Sequence, residues 1–470
     1  MVISRLFFLL LFFPICLLCY FAVKKTALRN GVLILFSLLF YAWGEPAYLG
    51  LIVLSALLNY LLGLGIEKGR DRLPGKLLLA VGLLINLGVL IGFKYTGFFL
   101  ENCNQAFGLS LPVPELTLPL GISFFTFRAV SYLIDCAWNK VQAEKNPLTF
   151  LLYISFFPIT ISGPIARYET MQAALHDRKV CADDLSIGFS RIAIGLGKKV
   201  ILADNLAGIV SQFLDGDIKA QTTLGLWYGV AVFALQMYFD FSGYSDIAIG
   251  VSRLFGFRLE ENFRHPFLCK DITEFWQRWH ISLGTFFRDY LLYVPIFGKR
   301  RKIGGLLLVW FCTGLWHGAS WNYIVWGIYY GLFLLLEMGI GKKAMQKIPA
   351  VIRHIYNKLV IIVGFGIFYC TGKDSLTKVG DLLLGLMHCN QAGLTNDVLI
   401  TSVQNNLFLL LAAVLCCFPR LSLPKKWMER NGKYSLAISI TGTVLTTAIL
   451  LVSCILLIDA TYVPFLYTKF

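Results

Sequence analysis

The stretch Leu77–Phe93, LLLAVGLLINLGVLIGF, decides the fold class because it contains no charged residue. A helix needs roughly 20 predominantly apolar residues, with a range of about 17–25, to cross the hydrocarbon core of a bilayer. Similar runs recur along a chain that is 57% hydrophobic and only 15% charged, whereas soluble domains carry about 25% charged residues. Long apolar runs predict helices, since barrel strands would show short alternation. The sequence therefore predicts an all-α integral membrane protein.

The apolar runs predict about 11 or 12 membrane crossings in a single polytopic domain, residues 1–470, without a soluble domain. The predicted spans are Leu6–Val23, two segments within Gly31–Leu64 hinged at Trp43–Pro46, Leu77–Phe93, Leu120–Ala137, Leu148–Ile165, Ile187–Phe213, Thr222–Val251, Ile303–Met338 with an interruption at Gly314–Asn322, Val351–Cys370, Asn406–Cys417 and Ser435–Ile458. Residues Leu259–Lys302 are too polar to span as a simple helix. Basic loops such as Glu67–Lys76 and Arg420–Lys433 are expected in the cytoplasm, which places both termini outside.

Charge and cysteine usage restrict the function further. The net charge of +15 comes from 42 Lys and Arg against 27 Asp and Glu. Cytoplasmic loops account for most of such an excess, and an anionic cytoplasmic acyl donor is a second explanation. Basic residues scattered between apolar helices do not favour nucleic-acid binding. Most of the twelve cysteines lie inside apolar runs, so neither a disulfide framework nor a metal site is expected.

Two histidines in Trp-rich polar interruptions are the candidate catalytic residues. His280 lies in EFWQRWHISL (274–283) and His317 in TGLWHGASWN (313–322). A histidine with a pKa near neutrality can take the proton from a hydroxyl as its oxygen attacks a thioester. The alternative for either residue is a structural hydrogen bond between helices. Trp316 and Trp321 could form the walls of a pocket beside His317.

The charged residues near His280 admit two interpretations. Glu274 and Arg278 have the i,i+4 spacing of a helical ion pair, and Arg288 and Asp289 follow shortly afterwards. These residues could belong to an interfacial amphipathic helix, or to a re-entrant helix that shapes a donor tunnel and offers arginine to phosphates. Asp240, in the polar island DFSGYSD (240–246), is expected to need a partner at membrane depth.

Several motifs together resemble the membrane-bound O-acyltransferase family, most closely its bacterial branch, which acylates alginate, peptidoglycan and teichoic acid. The motifs are FYAWGEP (40–46), SFFP (155–158), SGPIAR (162–167), YFDFSGYSDIAIG (238–250), ENFRHPF (261–267), ITEFWQRWHISL (272–283), FRDY (287–290) and GLWHGASWN (314–322). The resemblance implies a ring of helices around a central tunnel, with funnels from both sides that meet near a catalytic histidine, and it places the protein in the bacterial cell membrane. The core motif region is 238–331, and 435–470 holds the C-terminal helix and extracellular tail.

The resemblance also implies roles for individual residues. His317 matches the family's catalytic histidine and His280 the second histidine of the branch. Tyr467, in the tail PFLYTKF (464–470), matches a tyrosine proposed to relay the acyl group to an extracellular serine-hydrolase-like partner; an aromatic membrane anchor is the alternative. The residues predicted to line the tunnel or bind substrate are Trp316, Trp321, Asn322, Trp276, Arg278, Arg288, Asp289, Asp240 and Ser242.

Three functional hypotheses follow. The first is transfer of an acyl group, with acetyl from cytoplasmic acetyl-CoA favoured, to a hydroxyl of an extracellular cell-surface polymer, with no bound cofactor. The second is D-alanyl transfer from a carrier protein to teichoic acid. The third, from another class, is a polymer or lipid transporter without acyl chemistry, which would tolerate His317→Gln better than an acid–base enzyme would.

Overall fold

The computed structural model describes residues 3–292, 302–389, 392–419 and 432–459, with the backbone alone for 432–439 and 459. All regular structure in these ranges is helical, as the composition predicts. The α-helices are α1 Phe13–Ala22, α2 Thr26–Gly44, α3 Leu49–Lys68, α4 Leu73–Phe107, α5 Ile122–Ala137, α6 Pro147–Ser155, α7 Tyr168–His176, α8 Ala182–Leu196, α9 Asp204–Leu214, α10 Thr223–Leu254, α11 Ile272–Arg278, α12 Ile281–Phe287, α13 Lys302–His317, α14 Trp321–Ile340, α15 Lys342–Lys347, α16 Ala350–Tyr369, α17 Ser375–Leu386, α18 Asp397–Asn405, α19 Leu407–Cys416 and α20 Gly432–Asp459. Three π-helical stretches, Phe8–Phe12, Gly197–Ala203 and Arg288–Leu292, extend or join them.

Seven described helices are long and apolar enough to cross a membrane, and the pair α18 and α19, bent by 62°, would make an eighth span. The protein is therefore a multi-pass membrane protein. The count is lower than the predicted 11 or 12 because several predicted spans are short or interrupted helices. The segment Ile187–Phe213, for example, is continuously helical, but the π-helical Gly197–Ala203 joins the two shorter α-helices α8 and α9, neither of which is long enough to be counted alone.

The prediction that Leu148–Ile165 crosses the membrane is wrong, because this part of the chain enters and leaves on the same side. Its helix, α6, ends at Ser155. The chain has returned by the start of α7, where the Tyr168 hydroxyl donates to Glu144 Oε2 at 2.7 Å, and His176 Nε2 at the end of α7 lies 2.8 Å from the same oxygen, just before α6. The described part of the polar stretch Leu259–Lys302 contains the seven-residue helices α11 and α12, which are too short to span, as its composition predicts. The chain folds back on itself there, since the Arg264 N–H donates to the Arg278 carbonyl at 2.9 Å.

Helix α10 is the central element and is packed most closely against α8. The Cα atoms of Gly195 and Gly243 allow this approach, since a Cβ at either glycine would lie within 2.7 Å of the other's carbonyl oxygen. The acids of α10 have partners, as predicted: Lys199 Nζ donates to Asp240 Oδ1 at 2.6 Å, and Lys198 Nζ donates to Asp246 Oδ2 at 2.7 Å. Ion pairs between neighbouring helices therefore compensate for burying these carboxylates.

Helices α13 and α14 form a tight hairpin around the predicted interruption, with α13 ending at His317 and α14 beginning at Trp321. A Cβ on Gly314 would lie 2.3 Å from the Tyr323 carbonyl oxygen, and a Cβ on Gly327 would lie 2.3 Å from that of Trp310. Two backbones can meet this closely only where side chains are absent. The hairpin therefore holds the turn that contains His317 in a fixed place.

The loops gather on two faces of opposite charge. Hydrogen bonds join the loops of one face to each other, such as Arg178 to the Phe255 carbonyl and the Ala143 N–H to Glu67. This face is basic on balance: its loops and helix ends carry Lys24, Lys25, Arg29, Arg70, Arg72, Lys76, Lys140, Lys145, Arg178, Lys179, Arg253, Arg258, Arg264, Lys342, Lys343 and Lys347 against Glu67, Asp71, Glu144, Asp177, Asp183, Asp184, Glu260 and Glu261.

The opposite, acidic face is joined in the same way, with Lys373 paired to Glu101 at 3.3 Å and Lys219 paired to Asp381 at 3.5 Å. Its described loops and helix ends carry Glu45, Glu101, Glu115, Asp215, Asp217, Asp374 and Asp381 against Lys219, Lys373 and Lys378.

Candidate active site

His317 is the last residue of α13 and is only 3% exposed. Aromatic rings surround its imidazole: ring centroids lie 4.9 Å away for Trp316, 4.9 Å for Trp326, 5.0 Å for Phe368 and 6.3 Å for Tyr323. These rings come from α13, α14 and α16, so three helices together fix the imidazole. The environment restricts its rotation, which is what a positioned acid–base group requires.

His280 lies at the N-terminus of α12 in a left-handed conformation, with φ of 44°. A non-glycine residue with positive φ is held there by its surroundings. The side chain of Asn262 supplies that restraint: its Oδ1 lies 3.1 Å from His280 Nδ1 and accepts from the Ser282 N–H at 3.2 Å and hydroxyl at 2.9 Å. The Asn262 amide in turn donates to Ser245 of α10 at 3.2 Å.

The Trp316 ring lies against both histidines, since its centroid is 5.6 Å from that of His280 and 4.9 Å from that of His317. Helix α4 fastens this turn from the other side. Lys94 Nζ donates to the Trp316 carbonyl, and the Tyr95 hydroxyl donates to the Leu315 carbonyl at 2.6 Å. The two histidines therefore belong to one rigid cluster.

A wide cavity of about 720 Å³ leads from His317 to the acidic face. Its wall includes Lys94, Asp215, His317, Ser320, Tyr323, Tyr369 and Lys378. Its polar lining and size suit a hydrated or sugar-bearing ligand, because ligand sites occupy about 300–1,000 Å³ and position a few polar groups.

A narrow cavity of about 350 Å³ approaches the same imidazole from the side of α11 and α12. Its wall includes Trp276, His280, Thr285, Arg288, Trp310 and His317. Most of this wall is apolar, which suits an extended arm rather than a bulky charged group. His317 is a wall residue of both cavities, so reagents that enter separately can meet at its ring.

Of the predicted site residues in and after α11 and α12, two line the narrow cavity and two form ion pairs elsewhere. Trp276 and Arg288 line the narrow cavity. Arg278 pairs with Glu274, with Nη2 2.6 Å from Oε1, as the i,i+4 spacing predicts, and is not part of that wall. Asp289, outside the spanning helices, pairs with Arg167 at 2.9 Å. Partial burial opposes ionisation of Asp289, but hydrogen bonds from Arg288 and Arg167 outweigh it and hold the pKa of its carboxyl below the usual range.

Five other predicted site residues are not wall residues of either cavity. Trp316, predicted as a pocket wall, instead packs against both histidines. Asn322 donates to the Phe368 carbonyl at 3.0 Å and thereby joins α14 to α16. Trp321 is 41% exposed and lines a separate pocket on the acidic face. Asp240 and Ser242 are buried within α10. Tyr467 and the loop residues 293–301 lie outside the described residues, so their predicted roles remain predictions.

Lys94 and Asn262 are two residues of the site that the sequence reasoning did not single out. Lys94 directly follows the charge-free Leu77–Phe93, and a charge inside a helix as long as α4 is a signal of function or pairing. Asn262 lies within the ENFRHPF motif, but only the folded chain shows that it holds His280. No group of three or more His, Cys, Asp or Glu side chains that could hold a metal ion occurs in the described part of the chain.

Comparison with known proteins identifies the family. The model of the membrane-bound O-acyltransferase family matches residues 84–376, which is more than half of the chain and includes both histidines. The chain belongs to this family. A probable alginate O-acetylase of Azotobacter vinelandii is 33% identical over 100% of both chains. This membrane-bound O-acyltransferase is therefore an enzyme of acyl transfer, and the transporter hypothesis has no support.

Other relatives of this O-acyltransferase differ in their acceptors. A peptidoglycan O-acetyltransferase of Helicobacter pylori is 33% identical and covers 81% of this chain and 79% of its own. A teichoic acid D-alanyltransferase of Bacillus subtilis is 35% identical, but the match covers only 47% of this chain and 60% of its own. The full-length similarity is therefore to O-acetylases.

Proposed function

We propose that this O-acyltransferase moves an acetyl group from cytoplasmic acetyl-CoA to a hydroxyl group on the extracellular side of a bacterial cell membrane, for O-acetylation of a cell-surface polysaccharide or wall polymer. The observation that carries this proposal is the position of His317 in the wall of both cavities. Acetyl rather than D-alanyl transfer is favoured because the relatives that cover the whole chain are named O-acetylases.

The charge of the two faces supports the proposed orientation of the protein in the membrane. Lys and Arg concentrate on cytoplasmic loops of membrane proteins, so the basic face belongs in the cytoplasm. The narrow cavity, which includes Arg288 and Thr273 from the re-entrant segment, then receives the donor. Its apolar wall fits the thioester arm of the donor, while the nucleotide part stays near the basic loops. The wide cavity, with Asp215 and Tyr369, receives the acceptor from outside.

The proposed reaction is a single acyl exchange. An imidazole nitrogen of His317 takes the proton from the acceptor hydroxyl while the oxygen attacks the thioester carbonyl carbon. The new C–O bond forms, the C–S bond breaks, and the departing thiolate takes the proton from the imidazolium. His280 acts as a positioning residue, since it touches Trp316, which in turn packs against His317.

The acceptor hydroxyl belongs either to the polymer itself or to a relay group. Tyr467 is the relay residue that the family resemblance suggests, with an extracellular serine-hydrolase-like protein as the next acceptor. A wide cavity open to the acidic face is compatible with either acceptor, because both would approach from outside.

Replacement of His317 by alanine tests the proposal. In vesicles that contain the purified protein, with radiolabelled acetyl-CoA and the acceptor polymer, we expect His317→Ala to lower acetyl transfer by about 10²–10⁴-fold, the usual contribution of a general base. His354→Ala is the matched control, because His354 lies in α16 and lines neither cavity. Full transfer by a correctly inserted His317→Ala protein would contradict the proposal, and a D-alanyl carrier that replaces acetyl-CoA as donor would redirect it.

A further inference from the structure

A third pocket, of about 770 Å³, lies on the acidic face and is not part of the catalytic cluster. Trp321 forms one of its walls, with 41% of its surface exposed. Glu101, Asn102, Gln105, Ser320 and Lys373 contribute polar groups. From this pocket we infer a carbohydrate subsite in which a pyranose ring of the acceptor polymer stacks on the face of Trp321; the inference rests on the proposed function.

The Trp321 ring is held in place for such a contact. Its indole Nε1–H donates to Asn102 Oδ1 at 2.8 Å, and Phe98 packs against it edge to face with centroids 5.7 Å apart. The polar edge of the ring is therefore satisfied by the protein while part of its surface remains accessible. Aromatic side chains offer rigid apolar area at small entropic cost, and the C–H face of a sugar ring is the matching surface.

The neighbours of Trp321 distinguish this pocket from a membrane anchor. Tryptophans in the aromatic belt of a membrane protein lie among lipid headgroups. The pocket around Trp321 instead contains an ion pair, Glu101 with Lys373 at 3.3 Å, and the side chain of Gln105. Phe98, Asn102 and Gln105 share one face of α4 by their i, i+4, i+7 spacing. Hydroxyl groups of a sugar can form hydrogen bonds with such groups.

The subsite is continuous with the route to the catalytic histidine. Ala319 and Ser320 line both the Trp321 pocket and the wide cavity, and His317 lies at the inner end of that cavity. A polymer held at Trp321 can therefore present a hydroxyl from the same or the next sugar unit to the wide cavity. The stacking contact would fix the register of the chain relative to the site of acylation.

The charges of the two connected spaces favour a neutral sugar over a polyanion. The carboxylates that line them are Glu101, Asp215, Asp217 and Asp381, and the ammonium groups are Lys94, Lys373 and Lys378. Glu101 and Asp381 are already paired with Lys373 and Lys219, so these spaces offer no net positive charge that would attract a chain of carboxylates. We therefore expect an N-acetylglucosamine oligomer to bind more tightly than a uronate oligomer of equal length.

Binding of defined oligosaccharides to the detergent-purified full-length protein tests this inference. The probes are an N-acetylglucosamine hexamer and a uronate hexamer, measured by calorimetry. We expect Trp321→Ala to weaken binding of the neutral hexamer by at least about tenfold, since it removes the aromatic face on which the C–H face of the sugar packs. Trp321→Phe should retain part of the affinity. Trp43→Ala is the matched control, because Trp43 is 65% exposed at the end of α2 and stacks on Phe7 outside this pocket.

Failure of the Trp321 subsite can be distinguished from failure of the proposed acetyl transfer. His317→Ala should bind the neutral hexamer as the unmodified protein does, even though it transfers no acetyl group. Equal losses for Trp321→Ala and Trp43→Ala, or the absence of binding to the unmodified protein, would overturn the subsite. Tighter binding of the uronate hexamer would overturn the assignment of a neutral sugar.

Discussion

Replacement of Asn262 by alanine should inactivate the enzyme through His280 without removing either histidine. The Asn262 carboxamide oxygen is shared by His280 Nδ1, the Ser282 N–H and the Ser282 hydroxyl. A buried polar group that loses its partner costs about 1–3 kcal/mol. The Ser282 hydroxyl can rotate toward another acceptor. His280 Nδ1 and the Ser282 N–H would still lose the Asn262 oxygen, so the free energy of unfolding is expected to fall by roughly 2–6 kcal/mol.

The consequence for activity follows from backbone strain. The left-handed conformation of His280 costs roughly 1–3 kcal/mol and persists only under restraint from its surroundings. Without Asn262 the start of α12 is expected to relax, which moves the His280 ring away from Trp316 and disturbs the packing beside His317. A displacement of about 1 Å in a catalytic arrangement can cost 10²-fold in rate. We therefore expect Asn262→Ala to lower acetyl transfer by about 10²-fold.

Acetyl transfer per folded molecule, with folded protein quantified by monodisperse elution in detergent, is the appropriate measurement. Asn86→Ala serves as the control, because Asn86 is also a buried amide, but it donates to Asn59 and to the Gly82 carbonyl, both at 2.8 Å, rather than contacting a histidine. Both variants should lose stability, and only Asn262→Ala should lose specific activity. The double variant Asn262→Ala/His280→Ala should be no worse than His280→Ala alone, since the two act as one unit. Equal specific activities for the two asparagine variants would refute the reasoning.

Three further predictions concern the framework of the site. Glu337→Gln should lower both thermal stability in detergent and acetyl transfer. The carboxylate accepts hydrogen bonds from the first two backbone N–H groups of α11 at 2.7 and 2.9 Å, and a hydrogen bond to a charged group is worth ~1.5–3 kcal/mol. An unchanged melting temperature would count against this prediction. Gly327→Leu should prevent folding, whereas Gly339→Leu on the same helix should be tolerated, since nothing lies within 4 Å of a Cβ there; yields in a membrane fraction decide between them. Tyr290→Phe should cost about 1–3 kcal/mol by leaving a buried Asp135 oxygen without its donor at 2.8 Å, and a melting temperature equal to that of the unmodified protein would be the contrary result.

The all-helical membrane class, the hinge between α2 and α3 and the break at His317 could all be predicted from the sequence. These features depend on local composition, such as charge-free runs and glycine-rich interruptions. The number of crossings could not be predicted as well. Whether an apolar segment crosses or returns depends on distant contacts, such as that between Glu144 and His176.

The catalytic candidates of the site could be predicted from the sequence, but their arrangement in space could not. His317 and His280 stood out because both lie in polar, Trp-rich interruptions. Trp321 belongs to the same motif as His317, yet it faces a different pocket, because the direction of its side chain is set by the start of α14. Asn262 lies 18 residues from His280, a separation at which no local spacing rule relates two side chains.

The position of His317 has a consequence for the energetics of the living membrane. In the proposed orientation, the donor cavity and the acceptor cavity meet at His317, a wall residue of both, so only this side chain and its aromatic neighbours lie between them. A membrane voltage of about 100 mV is worth about 2.3 kcal/mol per elementary charge that traverses it. Solvent in both cavities would focus this electric field on the imidazole, so a proton that reaches the ring from one side and leaves toward the other would couple turnover to membrane energisation. The tight aromatic packing around His317 must therefore also prevent ions from leaking between the two cavities.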